Sequence, residues 1–96
     1  MTRWPFDQPP SAKAFTTRSV LEDAETVRIV VHFEDDGSWA FLCGTTDDVK
    51  EGRLATMEQV VSLDVTLFDL ADLPKGWTAR RTHLAGAWTQ SRSDGK

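Results

Sequence analysis

The feature that most constrains the fold is a pair of apolar segments joined by a short turn sequence. Residues 27–34, VRIVVHFE, are rich in β-branched and aromatic side chains, and WAFLCG continues the pattern after DDGS. Asp36–Gly37 suits a two-residue type I′ turn, because that turn needs positive φ at both central positions. The sequence therefore predicts a β-hairpin over about residues 27–44.

The turn also predicts the register of the hairpin and the composition of its two faces. With a two-residue loop, Phe33 pairs with Ala40 and Val30 pairs with Cys43. Alternation then places Ile29, Val31, Phe33, Ala40 and Leu42 on one face, and Val30, His32, Trp39, Phe41 and Cys43 on the other. Because both faces are substantially apolar, we predict that the hairpin is covered on both sides or lies centrally in a sheet.

Capping signals predict short helices around this hairpin. Thr17 can begin a helix in TTRSVLED, the Thr56 and Gln59 pair has capping-box spacing, and Asp64 can cap a further helix. The later elements are helices over about 57–63 and 65–73 and a strand over about 77–82. Inward positions of the second of these helices are Val65, Leu67, Phe68, Leu70 and Ala71. The predicted fold is a small α+β domain, with an antiparallel sheet built on the central hairpin and helices on one face.

The chain divides into three predicted regions. Residues 1–15 contain three of the four prolines and read as an extended arm, residues 16–90 as a single α+β domain, and residues 91–96 as a disordered tail. Trp4 and Phe6 are large apolar side chains, so we expect the arm to lie on the domain or on a second copy of it.

Composition excludes several classes of function. The 96 residues include 15 acids and 11 bases, for a net charge of −4, and no concentrated basic surface that would predict nucleic-acid binding. No apolar run approaches the length of a membrane span, and the N-terminal residues lack the apolar core of a secretory signal. With one cysteine, an internal disulfide is excluded and a cytoplasmic location is expected.

Acidic residues cluster at both ends of the predicted hairpin. A six-residue strand separates the two clusters by roughly 20 Å, so they cannot share one metal ion, and no metal site is predicted. An acidic surface does suit a basic protein partner through charge complementarity. The candidate partner-binding residues are Asp35, Asp36, Asp47, Asp48 and Glu51.

Cys43 and His32 are the one pair that suggests catalysis. In the predicted register they share a face, on a diagonal some 7–8 Å apart at Cα, so a small thiol enzyme is an alternative interpretation. Cys43 stands between Leu42 and Gly44 on an apolar strand, where a free cysteine behaves as a small hydrophobe. No glycine-rich phosphate loop or nucleophile elbow is present in the sequence. We therefore predict no enzymatic activity, no catalytic residue and no cofactor.

A short pattern in residues 16–82 resembles the DUF2185 family, also described as Imm33-type immunity proteins. The pattern joins an acidic-glycine-tryptophan turn, a W-x-F-x-x-G strand, an acidic segment and a closing P-x-G-x-x-x-x-R. Its positions here are Asp36, Gly37, Trp39, Phe41, Gly44, Asp47, Asp48, Pro74, Gly76 and Arg81. The resemblance implies a small domain that neutralises a bacterial toxin by binding it.

Taken together, the sequence favours a non-enzymatic protein-binding module, for which the resemblance implies a toxin-neutralising, immunity-type role with a basic toxin as partner. One alternative is a homo-oligomeric structural protein, dimerised through the N-terminal arm. The other is the thiol enzyme that uses Cys43 and His32. No nucleic-acid or membrane partner is predicted.

Overall fold

The computed structural model describes residues 4–23, 25–43, 52–82 and 86–92, which form one sheet with short helices. In chain order the elements are β1 (Lys13–Thr17), α1 (Arg18–Asp23), β2 (Ile29–His32), β3 (Trp39–Leu42), β4 (Gly52–Thr56), α2 (Met57–Leu63), a 3₁₀ helix (Val65–Leu70), β5 (Trp77–Arg80) and β6 (Thr89–Arg92).

The sheet has six strands in the order β4-β1-β3-β2-β5-β6. Strands β1 and β3 are parallel and every other neighbouring pair is antiparallel, so the sheet is mixed and the prediction of an antiparallel sheet was wrong in this respect. The predicted central position of the hairpin is confirmed, since β3 and β2 occupy the middle of the sheet. The fold is α+β but dominated by the sheet.

The hairpin loop is longer than predicted. The loop spans four residues, because the Phe33 amide donates to Ser38 O at 2.8 Å and closes the hairpin there. Each β2 residue therefore pairs with a β3 residue two positions earlier in the chain than predicted. His32 therefore pairs with Trp39. The Asp36 carboxylate accepts from the Ser38 amide at 2.9 Å, and Gly37 adopts a φ of +73°, which together close the wider loop. Because the shift is an even number of residues, the two predicted faces keep their membership.

The predicted helices are present at their capping residues. Thr17 accepts from the Val20 amide at the start of α1, and Thr56 and Gln59 form the reciprocal capping box of α2. Asp64 caps the next segment, but that segment is a 3₁₀ helix ending at Leu70, three residues earlier than predicted. The inward assignment of Val65 was wrong, since its side chain is 69% exposed.

All the helices pack on one face of the sheet, as predicted. The core joins that face to α1, α2 and the 3₁₀ helix through residues that include Ala14, Val20, Val30, Trp39, Phe41, Met57, Val60, Leu67, Leu70 and Ala79. Each of these strand residues lies on the Val30 face by register. The result is a two-layer domain whose second sheet face has no described helix upon it.

The N-terminal arm closes one end of the core. Phe6 is buried and packs edge-on against Trp39, with ring centroids 5.1 Å apart. Trp4 packs edge-on against Phe68, with ring centroids 6.1 Å apart. The Gln8 amide donates to Gly37 O at 3.0 Å, which ties the arm to the hairpin loop. Trp4 and Phe6 thus lie on their own domain, the first of the two predicted placements. Lys13–Thr17, partly within the predicted arm, is a strand.

At the other terminus, the predicted tail begins within the sheet. Ser91 and Arg92 belong to β6 and pair with Thr78 and Trp77, and the rest of the predicted tail lies outside the described residues.

Candidate functional site

The face of the sheet opposite the helices is the candidate functional site, and we call it the open face. One row of paired residues crosses it from edge to edge. In strand order this row is Leu54, Phe15, Ala40, Val31, Thr78 and Ser91. The first four of these six side chains are apolar, so the apolar part of the open face covers β4, β1, β3 and β2.

Large apolar side chains on the open face are exposed. Leu54 is 60% exposed, Phe15 49% and Phe33 39%. The rings of Phe15 and Phe33 meet edge-on across β3, with centroids 6.3 Å apart. Ile29, Val31 and Leu42 extend the same surface and are half-buried. We refer to these six side chains as the apolar patch.

The charged residues that the six strands contribute to the open face are basic. No acid occurs in any of the six strands, although the chain contains 15 acids. Lys13 lies two residues from Phe15 on β1, and Arg80 of β5 pairs with Ile29 of β2. Both side chains therefore share the face of the apolar patch. Both side chains are exposed. The apolar patch is therefore bordered by positive charge at two corners.

A cleft of about 560 Å³ lies at the corner where β2 begins and β5 ends. Its described lining includes Arg28, Ile29, Arg80, Arg81 and Thr89, and none of its described lining residues is acidic. Since Ile29 and Arg80 belong to the open face, the cleft is continuous with the apolar patch.

The sequence-predicted acidic residues divide into two groups. Asp35 and Asp36 are exposed in the four-residue hairpin loop, which directly follows Phe33 at one end of the apolar patch. Hydrogen bonds from the Ser38 side chain and backbone lower the pKa of the Asp36 carboxyl below its usual value, so it stays ionised to lower pH. Asp47, Asp48 and Glu51 lie outside the described residues.

Cys43 and His32 are not adjacent, contrary to the predicted register. His32 pairs with Trp39, four residues before Cys43 on the neighbouring strand, which separates the two by roughly 13 Å along the strand. Cys43 is fully buried, and its sulfur accepts from the Thr17 hydroxyl at 3.7 Å. The buried core position predicted for Cys43 is confirmed. These contacts give no thiol–imidazole pair.

His32 instead belongs to a buried polar contact beneath the arm. Its ring stacks on Trp39 with centroids 4.0 Å apart, and Nδ1 lies 2.7 Å from Leu73 O. Since a carbonyl oxygen only accepts, Nδ1 carries a proton. Asp7 Oδ2 lies 3.1 Å from Nε2, within ion-pair distance but outside hydrogen-bond geometry, and Asp7 Oδ1 accepts from Trp39 Nε1 at 3.1 Å. The Asp7 carboxylate thus ties the arm to Trp39 by a hydrogen bond and lies beside the His32 ring.

Replacing Asp7 with alanine is expected to lower the free energy of unfolding by about 1–3 kcal/mol. The Trp39 indole N–H would lose its acceptor and His32 its neighbouring carboxylate, and a buried polar group left unsatisfied costs about that amount. Urea denaturation measures the change. The matched control is D72N, because Asp72 is exposed. Equal stability of D7A and wild type would contradict the role assigned to this contact.

The described residues contain no group of three or more metal-ligating side chains placed to hold an ion, and no described helix is long and apolar enough to cross a membrane. Comparisons of the chain with protein-family models, curated proteins and solved structures find no match. The resemblance to the DUF2185 family therefore stays a prediction from its motif.

Sequence reasoning located the open-face residues of the hairpin but not the surface that they form. Leu54 stands in GRLAT, which has too few β-branched residues to predict a strand, and Phe15 was placed in the arm. No apolar–polar alternation marks β1, because both of its faces, Lys13, Phe15 and Thr17 on one and Ala14 and Thr16 on the other, mix apolar and polar side chains. Its exposed face becomes visible only once β1 pairs with β3.

Proposed function

We propose that the chain is a non-enzymatic protein-binding module that binds its partner on the open face. The single observation that carries this proposal is the exposure of Phe15, Phe33 and Leu54 together on one sheet face. An antiparallel pair with one solvated face ordinarily alternates apolar and polar residues, with polar residues outward. Here the row of Leu54, Phe15, Ala40 and Val31 places an apolar side chain outward on each of four adjacent strands. Contiguous exposed apolar surface of this kind is typical of interaction sites.

The charges that border the patch favour a partner with acidic side chains. Lys13 and Arg80 are the charged residues that the strands contribute to this face, and they complement a partner segment that carries apolar side chains between Asp or Glu. A second copy of the chain fits less well, because face-to-face packing would bring the same basic residues towards one another. The occupant that we propose is therefore a different protein.

The experiment is a selection of random 16-residue peptides, displayed on phage, against the immobilised full chain. We expect enrichment of sequences that combine apolar residues with Asp or Glu. Enrichment of basic sequences, or of none above the blank support, would overturn the proposal. Sedimentation of the chain alone at micromolar concentration is the second measurement. It would reject a different protein as the occupant if the wild type is a dimer and the F15T/L54T variant is a monomer, because the open face would then be a homodimer contact.

A second candidate uses the acidic hairpin loop and follows from the motif resemblance. It is a toxin-neutralising, immunity-type role in which a basic protein binds one of the two acidic clusters, either Asp35 and Asp36 or Asp47, Asp48 and Glu51. Asp35 and Asp36 are exposed, so the loop presents two carboxylates to solvent. Charge complementarity then suits a basic partner.

The D35N/D36N variant tests this candidate in the same peptide selection. We expect it to lose enrichment of Lys- and Arg-rich peptides, and to flatten the salt dependence of any such peptide that binds wild type. F15T/L54T should leave that binding unchanged. Basic peptides that bind D35N/D36N as tightly as wild type would exclude the hairpin loop as the contact.

A further inference from the structure

Two arginines that line the cleft, Arg28 and Arg80, lack a carboxylate partner among the described residues. The cleft at the start of β2 and end of β5 brings together Arg28, Arg80 and Arg81 in a chain whose net charge is −4. Arg81 differs from the other two, because its guanidinium contacts Asp64 Oδ2 at 2.6 Å. The charges of Arg28 and Arg80 have no such counterpart in the described chain.

Arg28 is held in place by backbone carbonyls. Its Nε donates to Thr82 O at 3.1 Å and its Nη1 donates to Cys43 O at 3.3 Å. These contacts orient the guanidinium without neutralising its charge. A positioned guanidinium whose remaining N–H groups face a cleft is suited to a carboxylate, which accepts two parallel hydrogen bonds from the planar fork.

Arg80 provides the second positive charge at the edge of the same cleft. It is exposed on the open face and pairs with Ile29, the residue that follows Arg28. The small residues Gly86, Ala87 and Thr89 line the cleft beside these side chains. A short acidic side chain can therefore enter without displacing a bulky group.

We propose that Arg28 and Arg80 form a carboxylate anchor for the partner that binds the apolar patch. This inference rests on the proposed function, and it adds the position and chemistry of one contact. The partner segment lays apolar side chains across β1, β3 and β2 and places one carboxylate in the cleft at the Ile29 end of β2. The carboxylate belongs to an Asp or Glu side chain or to the C-terminus of the segment.

The experiment uses an acidic peptide enriched on the full chain, with its affinity measured by titration calorimetry. R80Q is expected to weaken binding about fivefold at low salt and to reduce the salt dependence, which is the scale of an exposed ion pair. R28K keeps the charge but loses the planar fork, and we expect a further loss of several-fold. The control is R92Q, because Arg92 is also exposed and lies at the end of β6 away from Thr89, which lines the cleft.

Peptide variants identify the carboxylate and separate the two proposals. Replacing one Glu or Asp of the peptide with its amide, or amidating the C-terminus, should abolish the effect of R80Q in a double-mutant cycle. If R80Q and R92Q bind equally and F15T/L54T does not bind, the anchor is rejected and the open face is retained. If none of these variants differs from wild type, both proposals are rejected.

Discussion

Replacing Phe15 and Leu54 together with threonine is expected to weaken an open-face peptide at least about 30-fold while the domain stays folded. Truncating buried interface anchors commonly costs 2 kcal/mol or more of binding free energy, which is about 30-fold in affinity. Threonine is β-branched, a shape that strands favour, and both replaced side chains are exposed, so the change in unfolding free energy should stay near about 1 kcal/mol.

The matched control removes apolar surface from the other layer of the domain. Leu63 is 53% exposed at the end of α2 and Val65 is 69% exposed in the 3₁₀ helix. L63T/V65T should bind the peptide as wild type does, because neither residue belongs to the sheet. Equal losses of peptide affinity in F15T/L54T and L63T/V65T would show a nonspecific apolar effect and would exclude the open face as the binding site.

Replacing Asp64 with asparagine is expected to lower the free energy of unfolding by about 3–5 kcal/mol. Asp64 Oδ2 contacts Arg81 Nη2 at 2.6 Å, and the side chains are only 11% and 1% exposed. Removing one partner of a buried pair leaves an uncompensated charge, and this accounts for the size of the effect. Asparagine can still cap the 3₁₀ helix through the oxygen that accepts from Thr66 N, so the substitution removes the charge and the acceptor of Arg81 while it keeps the cap.

Two further variants define the origin of that loss. E22Q removes the exposed Arg18–Glu22 pair, whose atoms are 3.7 Å apart, and should change stability by less than about 0.5 kcal/mol. D64N/R81M should recover part of the stability lost in D64N, since no unpaired charge then remains. A D64N variant as stable as E22Q in urea would contradict a buried, interdependent pair.

The hairpin and the helix caps were predictable because their signals are local. Val27–Phe33 is β-branched and aromatic, and the Thr56 and Gln59 spacing is sufficient to begin α2 without information from the rest of the chain. The loop length was not predictable from Asp36–Gly37 alone, because an interaction of Asp36 with Ser38 competes with the two-residue turn.

The edge strands and the candidate site could not be derived from the sequence, because both depend on long-range pairing. β4 and β6 are short and largely polar, and the parallel pairing of β1 with β3 joins residues 25 apart in the chain. The apolar patch exists only in that arrangement, which sets Leu54, Phe15 and Val31 in one row. The acids of the hairpin loop are adjacent in the sequence, whereas the residues of the open face come together only through strand pairing.

The most direct test of binding on the open face is NMR shift mapping of the isotope-labelled chain with an enriched acidic peptide. The account predicts the largest changes at Phe15, Phe33, Leu54 and their neighbours on β1, β3 and β2. Changes confined to the Asp35–Asp36 loop, or to α2 and the 3₁₀ helix, would contradict it.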